Sequence, residues 1–130
     1  MSQQIDAKLL ALKKTLIDGM ISYMGKDEND ENFDPEFDAG YTQINVDECE
    51  QILTDFLSNI LATPTDGKNH FIMELVKNTI LKLNSLNNKC DDGLIETGQR
   101  EEICELIDLA VQQAGLDTKG NDITEEWREW

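Results

Sequence analysis

Apolar residues recur along most of this chain at spacings of three and four, the signature of helices with one buried face. Ile5, Leu9, Leu12, Leu16 and Met20 predict a first helix. Lys8, Lys13, Lys14 and Asp18 fall mostly off its stripe, and Gly25 is its natural stop. From Lys26 to Tyr41 the period vanishes and Pro35 disfavours helix, so 26–43 reads as a loop. Cys49, Ile52, Leu53, Phe56, Leu57, Ile60 and Leu61 predict a second helix that Pro64 ends. Its start signal is Asn45 as N-cap, with Glu48 closing a capping box and Ile44 and Cys49 placed as a hydrophobic staple.

Asp66 is the expected cap of a third helix, whose inner face is Phe71, Ile72, Leu75, Val76, Ile80, Leu83 and Leu86. The run from Asn84 to Gly93 should stop it, because its Asn, Ser and Asp side chains compete for backbone hydrogen bonds. Thr97 is the expected cap of a fourth helix, with Glu101 and Glu102 in its first turn, favoured there by the dipole. Ile103, Leu106, Ile107, Ala110, Val111 and Ala114 face inward, and Gly115 with Leu116 reads as a Schellman exit. Asp122 and Glu125 form another box and predict a short helix over 122–130. Only Tyr41–Ile44 has any strand character. The expected fold is all-α, a compact bundle of four amphipathic helices plus a short C-terminal helix, in a single domain of residues 1–130.

Charge sharpens this outline. The net charge is −16 over 130 residues. Between Asp27 and Asp66 stand twelve carboxylates and no lysine or arginine. Residues 27–67 carry −12 and 90–130 carry −9, whereas 1–26 carry +2 and 68–89 carry +3. Acid gathered into blocks attracts a basic partner and repels nucleic acid and anionic membrane. The opening residues show no secretory signal pattern, and no apolar run approaches the roughly 20 residues that span a bilayer. Three cysteines, Cys49, Cys90 and Cys104, without close pairing fit a reducing compartment, so the expected location is cytoplasmic.

Catalytic and metal-binding patterns are missing. The chain has one histidine, His70, and no nucleophile elbow, zinc-protease, phosphate-loop or dinucleotide motif. Scattered Cys49, Cys90, Cys104 and His70 do not make a zinc set. Read as an EF-hand from Asp27, the loop puts Asn32 at the glycine position and Asp38 in place of the bidentate glutamate. Read from Asp30 it puts Pro35 at the glycine position. The expectation is a binding protein, not an enzyme, with no cofactor and no metal.

Within the loop Phe33, Phe37 and Tyr41 are spaced by four among the acids. They either fasten the loop to the core or stay exposed as anchors for a partner, since aromatics supply hot-spot energy while charge sets the on-rate. The expected partner-binding set is Asp27, Glu28, Asp30, Glu31, Phe33, Asp34, Glu36, Phe37, Asp38 and Tyr41, continued along the second helix by Asp47, Glu48 and Glu50. Trp127 and Trp130 are expected to cap the open end of the bundle, with a partner contact as the alternative.

Leu94-Ile95-Glu96-Thr97, Gln99-Arg100-Glu101-Glu102 and the ending from Asp122 to Trp130 resemble a group of small acidic bacterial proteins. The likeness covers roughly residues 83–130. Proteins of this type resemble the immunity proteins of interbacterial toxins, and the chain is similar in overall character to the acidic four-helix immunity proteins of colicin DNases. It lacks their paired-tyrosine segment, so no binding residue is carried over. The resemblance implies an immunity or inhibitor protein that neutralises a basic cognate toxin domain, a nuclease among the candidates, by occluding its active face. An acidic adaptor, or a housekeeping helical protein acidic for solubility alone, remain the other readings.

Overall fold

The computed structural model describes residues 7–24, 40–62, 69–116, 118 and 122–130. They form four helices, α1 (Ala7–Met24), α2 (Gln43–Ala62), α3 (Asn69–Lys89) and α4 (Thr97–Gln113), with no strand among the described residues. No described helix is long and apolar enough to cross a membrane.

The predicted stripes make the core. Leu9, Leu16 and Met20 are buried from α1, Cys49, Leu53, Phe56, Leu57 and Ile60 from α2, Ile72, Val76, Ile80, Leu83 and Leu86 from α3, and Ile103, Leu106, Ile107, Ala110 and Val111 from α4. Full burial of each large side chain contributes about 1.5–3 kcal/mol. Phe71 departs from its predicted face: it is 54% exposed and lies against His70, the rings tilted by 37° with centroids 4.9 Å apart.

α2 packs against α3 and α1, and α1 packs against α4. Around the bundle the order is therefore α3, α2, α1, α4. The lysine-bearing α1 and α3 each lie against the acidic α2, an arrangement that opposes repulsion between acidic helices. Lys89 Nζ reaches Glu48 Oε2 at 3.0 Å between α3 and α2. Lys13 Nζ donates to Thr54 Oγ1 at 3.0 Å between α1 and α2.

Four boundaries differ from the sequence reading, each for a local reason. α2 begins before Asn45. Thr42 is its cap, since the Thr42 carbonyl accepts Val46 N–H at 3.2 Å, and Asn45 returns the bond by accepting Thr42 N–H at 2.9 Å. Asn45 is thus the third helical residue, and the staple positions fall to Tyr41 and Val46, both buried. α3 runs on through the Asn-rich stretch to Lys89, because Asn84 and Asn87 lie on its buried face with their side chains employed there. α4 is capped by Glu96, one residue before Thr97, in a box with Gln99, whose Oε1 accepts Glu96 N–H at 3.1 Å. Glu101 and Glu102 consequently lie beyond the first turn, outside the strongest part of the dipole.

Last, residues 123–127 form turns, and the helix expected over 122–130 is not shown. Asp122 does act as a local cap, with Oδ1 accepting Thr124 N–H at 2.9 Å. The exit from α4 matches its expected form: Leu116 N–H donates to Val111 O and Gly115 N–H to Gln112 O, both at 3.0 Å, with Gly115 at φ +102°. The expected cap Asp66, the stop at Pro64 and the loop 26–39 lie outside the described residues.

The turns of 122–130 fill the side of the bundle where α3 and α4 do not pack closely. Asn84 of α3 donates to the Trp127 carbonyl at 2.7 Å. From α4, Cys104 Sγ accepts from Arg128 Nη1 at 3.1 Å and lies 3.5 Å from Thr124 Oγ1. Arg128 also pairs with Asp122 at 3.1 Å and lies over the Trp130 ring. Both tryptophans are partly buried against the core.

Candidate protein-binding pole

One end of the bundle is built from the last turn of α1, the first turns of α2, the end of α3 with its following turn, and the start of α4. Tyr41 ties the first two together: its hydroxyl donates to the Met20 carbonyl at 2.8 Å, and its ring stacks with Tyr23 at a centroid separation of 6.4 Å. The Lys89–Glu48 pair ties α3 to α2. Gly40, at φ +86°, faces the Cys90 carbonyl, and a Cβ built there would stand 3.6 Å from that oxygen. Met24 and Gly40 both belong to this end.

The turn after α3 is organised by Asn87. Its Oδ1 accepts Ile95 N–H at 2.9 Å and Leu94 N–H at 3.1 Å, serving two buried donors. Within that turn Asp91 and Asp92 both take left-handed backbone, at φ 54° and 61°. Short polar side chains such as Asp tolerate this conformation better than other non-glycine residues. The turn leaves both carboxylates exposed, and Glu96 is exposed at the head of α4.

Of the sequence-predicted site, Asp47, Glu48 and Glu50 are exposed on the first two turns of α2. Asp91, Asp92 and Glu96 join the same end from a different part of the chain. They were missed because only the antiparallel return of α3 brings them beside α2. Asp27, Glu28, Asp30, Glu31, Phe33, Asp34, Glu36, Phe37 and Asp38 lie outside the described residues.

Tyr41 is 6% exposed, which fits the core-fastening alternative for these aromatics. Burial, then Tyr23, Glu96 and Cys90, push its hydroxyl up to about 12, so it stays protonated and a hydrogen-bond donor. Ile44, given to a staple on sequence grounds, is instead 78% exposed. The competing Thr42/Asn45 box was the signal for this.

Two cysteines lie in this end. Cys49 and Cys90 are buried thiols. Burial, then Glu50, Cys90 and Glu48, push Cys49 up to about 12, and burial raises Cys90. Both are poor nucleophiles in that state. His70 begins α3 and Cys90 follows its end, a separation of roughly 30 Å along the helix, too far for a Cys–His pair. Among the described residues no group of three or more His, Cys, Asp or Glu is arranged to hold a metal ion.

What the arrangement offers is a negative surface. Asp47, Glu48, Asp91, Asp92 and Glu96 converge from three elements, with Lys89 as a cation held by Glu48. That ion pair is solvent-exposed and contributes about 0–1 kcal/mol to stability, and the one lysine charge is outnumbered by the five carboxylates. No protein-family model, curated protein or solved structure matches the chain.

Proposed function

We propose that the chain is an acidic immunity or inhibitor protein. It binds a basic partner, a cognate bacterial toxin domain such as a nuclease, and neutralises it by covering its active face. The observation that carries this reading is the convergence of charge. Five exposed carboxylates from three elements meet at one end of the bundle, and the sequence carries seven more from Asp27 to Asp38. Local roles exist for several of them, Glu96 as a helix cap, Asp47 accepting from Gln43 and Glu48 pairing with Lys89, but none of these requires acid from three elements to gather at one end. A field of one sign raises association with an oppositely charged partner roughly 10- to 1,000-fold at low salt. The free thiols suit the same reading, in which the protein acts in the cytoplasm.

Co-expression tests it. The product of the gene immediately upstream is produced alone, with the wild-type chain, or with Asp30→Lys, Asp34→Lys and Asp38→Lys combined. Growth rescued by wild type and lost with the triple variant is expected. No rescue by wild type, or equal rescue by both, would overturn the proposal.

A further inference from the structure

Ile44 is 78% exposed, and the fold gives it no task. Tyr41 and Val46 fill the staple positions around the Thr42 cap, whereas Ile44 lies on the opposite, outward side of α2. Exposed Asp47, Glu48 and Gln51 follow it at spacings of three, four and seven, so the four side chains share one helix face. At the same end Tyr23 is 46% exposed, its ring stacked on the buried Tyr41. Single apolar side chains scattered over a surface carry no message. An isoleucine this exposed beside Asp47 and Glu48 has the composition of an interface: an apolar anchor with a charged rim. Phe71 and Leu81, also exposed, lie on α3 with Lys77 and Lys82, on a helix of opposite charge.

Resting on the reading that the chain neutralises a basic protein, we infer that Ile44, flanked by Asp47 and Glu48, is the apolar anchor of that contact. The partner then presents an apolar pocket rimmed by lysine or arginine. Charge selects this occupant. A second copy docked symmetrically on this face would set Asp47 and Glu48 against acidic equivalents, and like charges across an interface are strongly unfavourable. Nucleic acid and anionic membrane are repelled by the same field. The two components divide the kinetics: rim carboxylates set association and its salt dependence, and the anchor sets dissociation.

The test places photoreactive benzoylphenylalanine at position 44, 33 or 71 of the full chain in the cells that naturally produce it. Position 44 is expected to cross-link one protein of net positive charge, and position 71 none. With that protein purified, Ile44→Ser should speed dissociation about 10-fold or more without changing the salt dependence of association. Circular dichroism should show both chains equally folded, the site being on the surface. Cross-linking from 71 alone overturns the inference, as does a cross-link from 44 to a second copy or to an acidic protein. So does a wild-type dissociation rate for Ile44→Ser, or for Tyr23→Ser with Ile44→Ser combined. With a basic partner in hand, the last result removes the anchor and leaves the neutralisation reading standing. Failure to cross-link any basic protein from either 33 or 44 removes both.

Discussion

Asn84 donates to the Trp127 carbonyl at 2.7 Å while its Oδ1 accepts Glu129 N–H at 3.2 Å, so one buried side chain of α3 satisfies both polarities of the C-terminal backbone. A hydrophobic residue of similar size would strand both groups against the core. Asn84→Leu should therefore lower unfolding free energy by about 2 kcal/mol in a urea titration. Deleting residues 124–130 should cost at least as much, since Trp127 and Trp130 leave the core with it. An unchanged melting temperature for the deletion would assign the tryptophans to a partner instead.

Asn87, one turn further along α3, has a similar role. Its Oδ1 accepts two buried donors, Leu94 and Ile95 N–H. Asn87→Ala should cost about 2–4 kcal/mol, and those two amides should lose hydrogen-exchange protection before the α2 and α4 cores do. Equal protection in both chains would contradict the clamp.

These two asparagines mark where sequence reading stopped short. The apolar stripes were legible because burial enforces a period of 3.6, and nearly every residue of the predicted faces of α2 and α4 is buried or half-buried. Asn84 and Asn87 occupy the same inner face of α3, but composition alone marks asparagine as a helix breaker. Their partners lie seven to forty-five residues away, which no local pattern records. The caps were misplaced by one to three residues because Thr42 and Asn45, like Glu96 and Thr97, both have suitable side chains, and burial of Tyr41 decides the first case. The acidic pole was half legible: the α2 carboxylates stand in one run, whereas Asp91, Asp92 and Glu96 reach it only through topology.

The Tyr41 hydroxyl bond to Met20 O is a structural tie between α1 and α2. Tyr41→Phe should lose about 1 kcal/mol by chemical denaturation and leave partner affinity unchanged. A large loss of affinity with unaltered stability would restore Tyr41 as a contact residue.

Burial, with Glu105 adding to it, lifts Glu102 above the ordinary glutamate value of 4.5, and its Oε2 is buried with no hydrogen-bond partner among the described residues. A carboxyl raised in the fold opposes folding once ionised. The penalty is absent below the ordinary value, grows as pH rises towards the folded value, and is complete above it. Glu102→Gln should thus stabilise by about 1 kcal/mol near neutral pH and by almost nothing near pH ~3.5. Melting curves across that window check the sign; a destabilised variant at neutral pH would refute it.

The central claim is that the acidic pole and its loop bind a basic protein. Quantitative affinity capture from the native cells tests it most directly, with the full chain as bait, at low and at high salt. A parallel bait carries Asp30→Asn, Asp34→Asn, Asp38→Asn and Glu48→Gln. The account predicts one basic protein recovered in stoichiometric amount by the wild type at low salt, and strongly reduced both at high salt and with the amide variant. Recovery of no basic protein, or of one whose capture ignores both salt and the four substitutions, would contradict it.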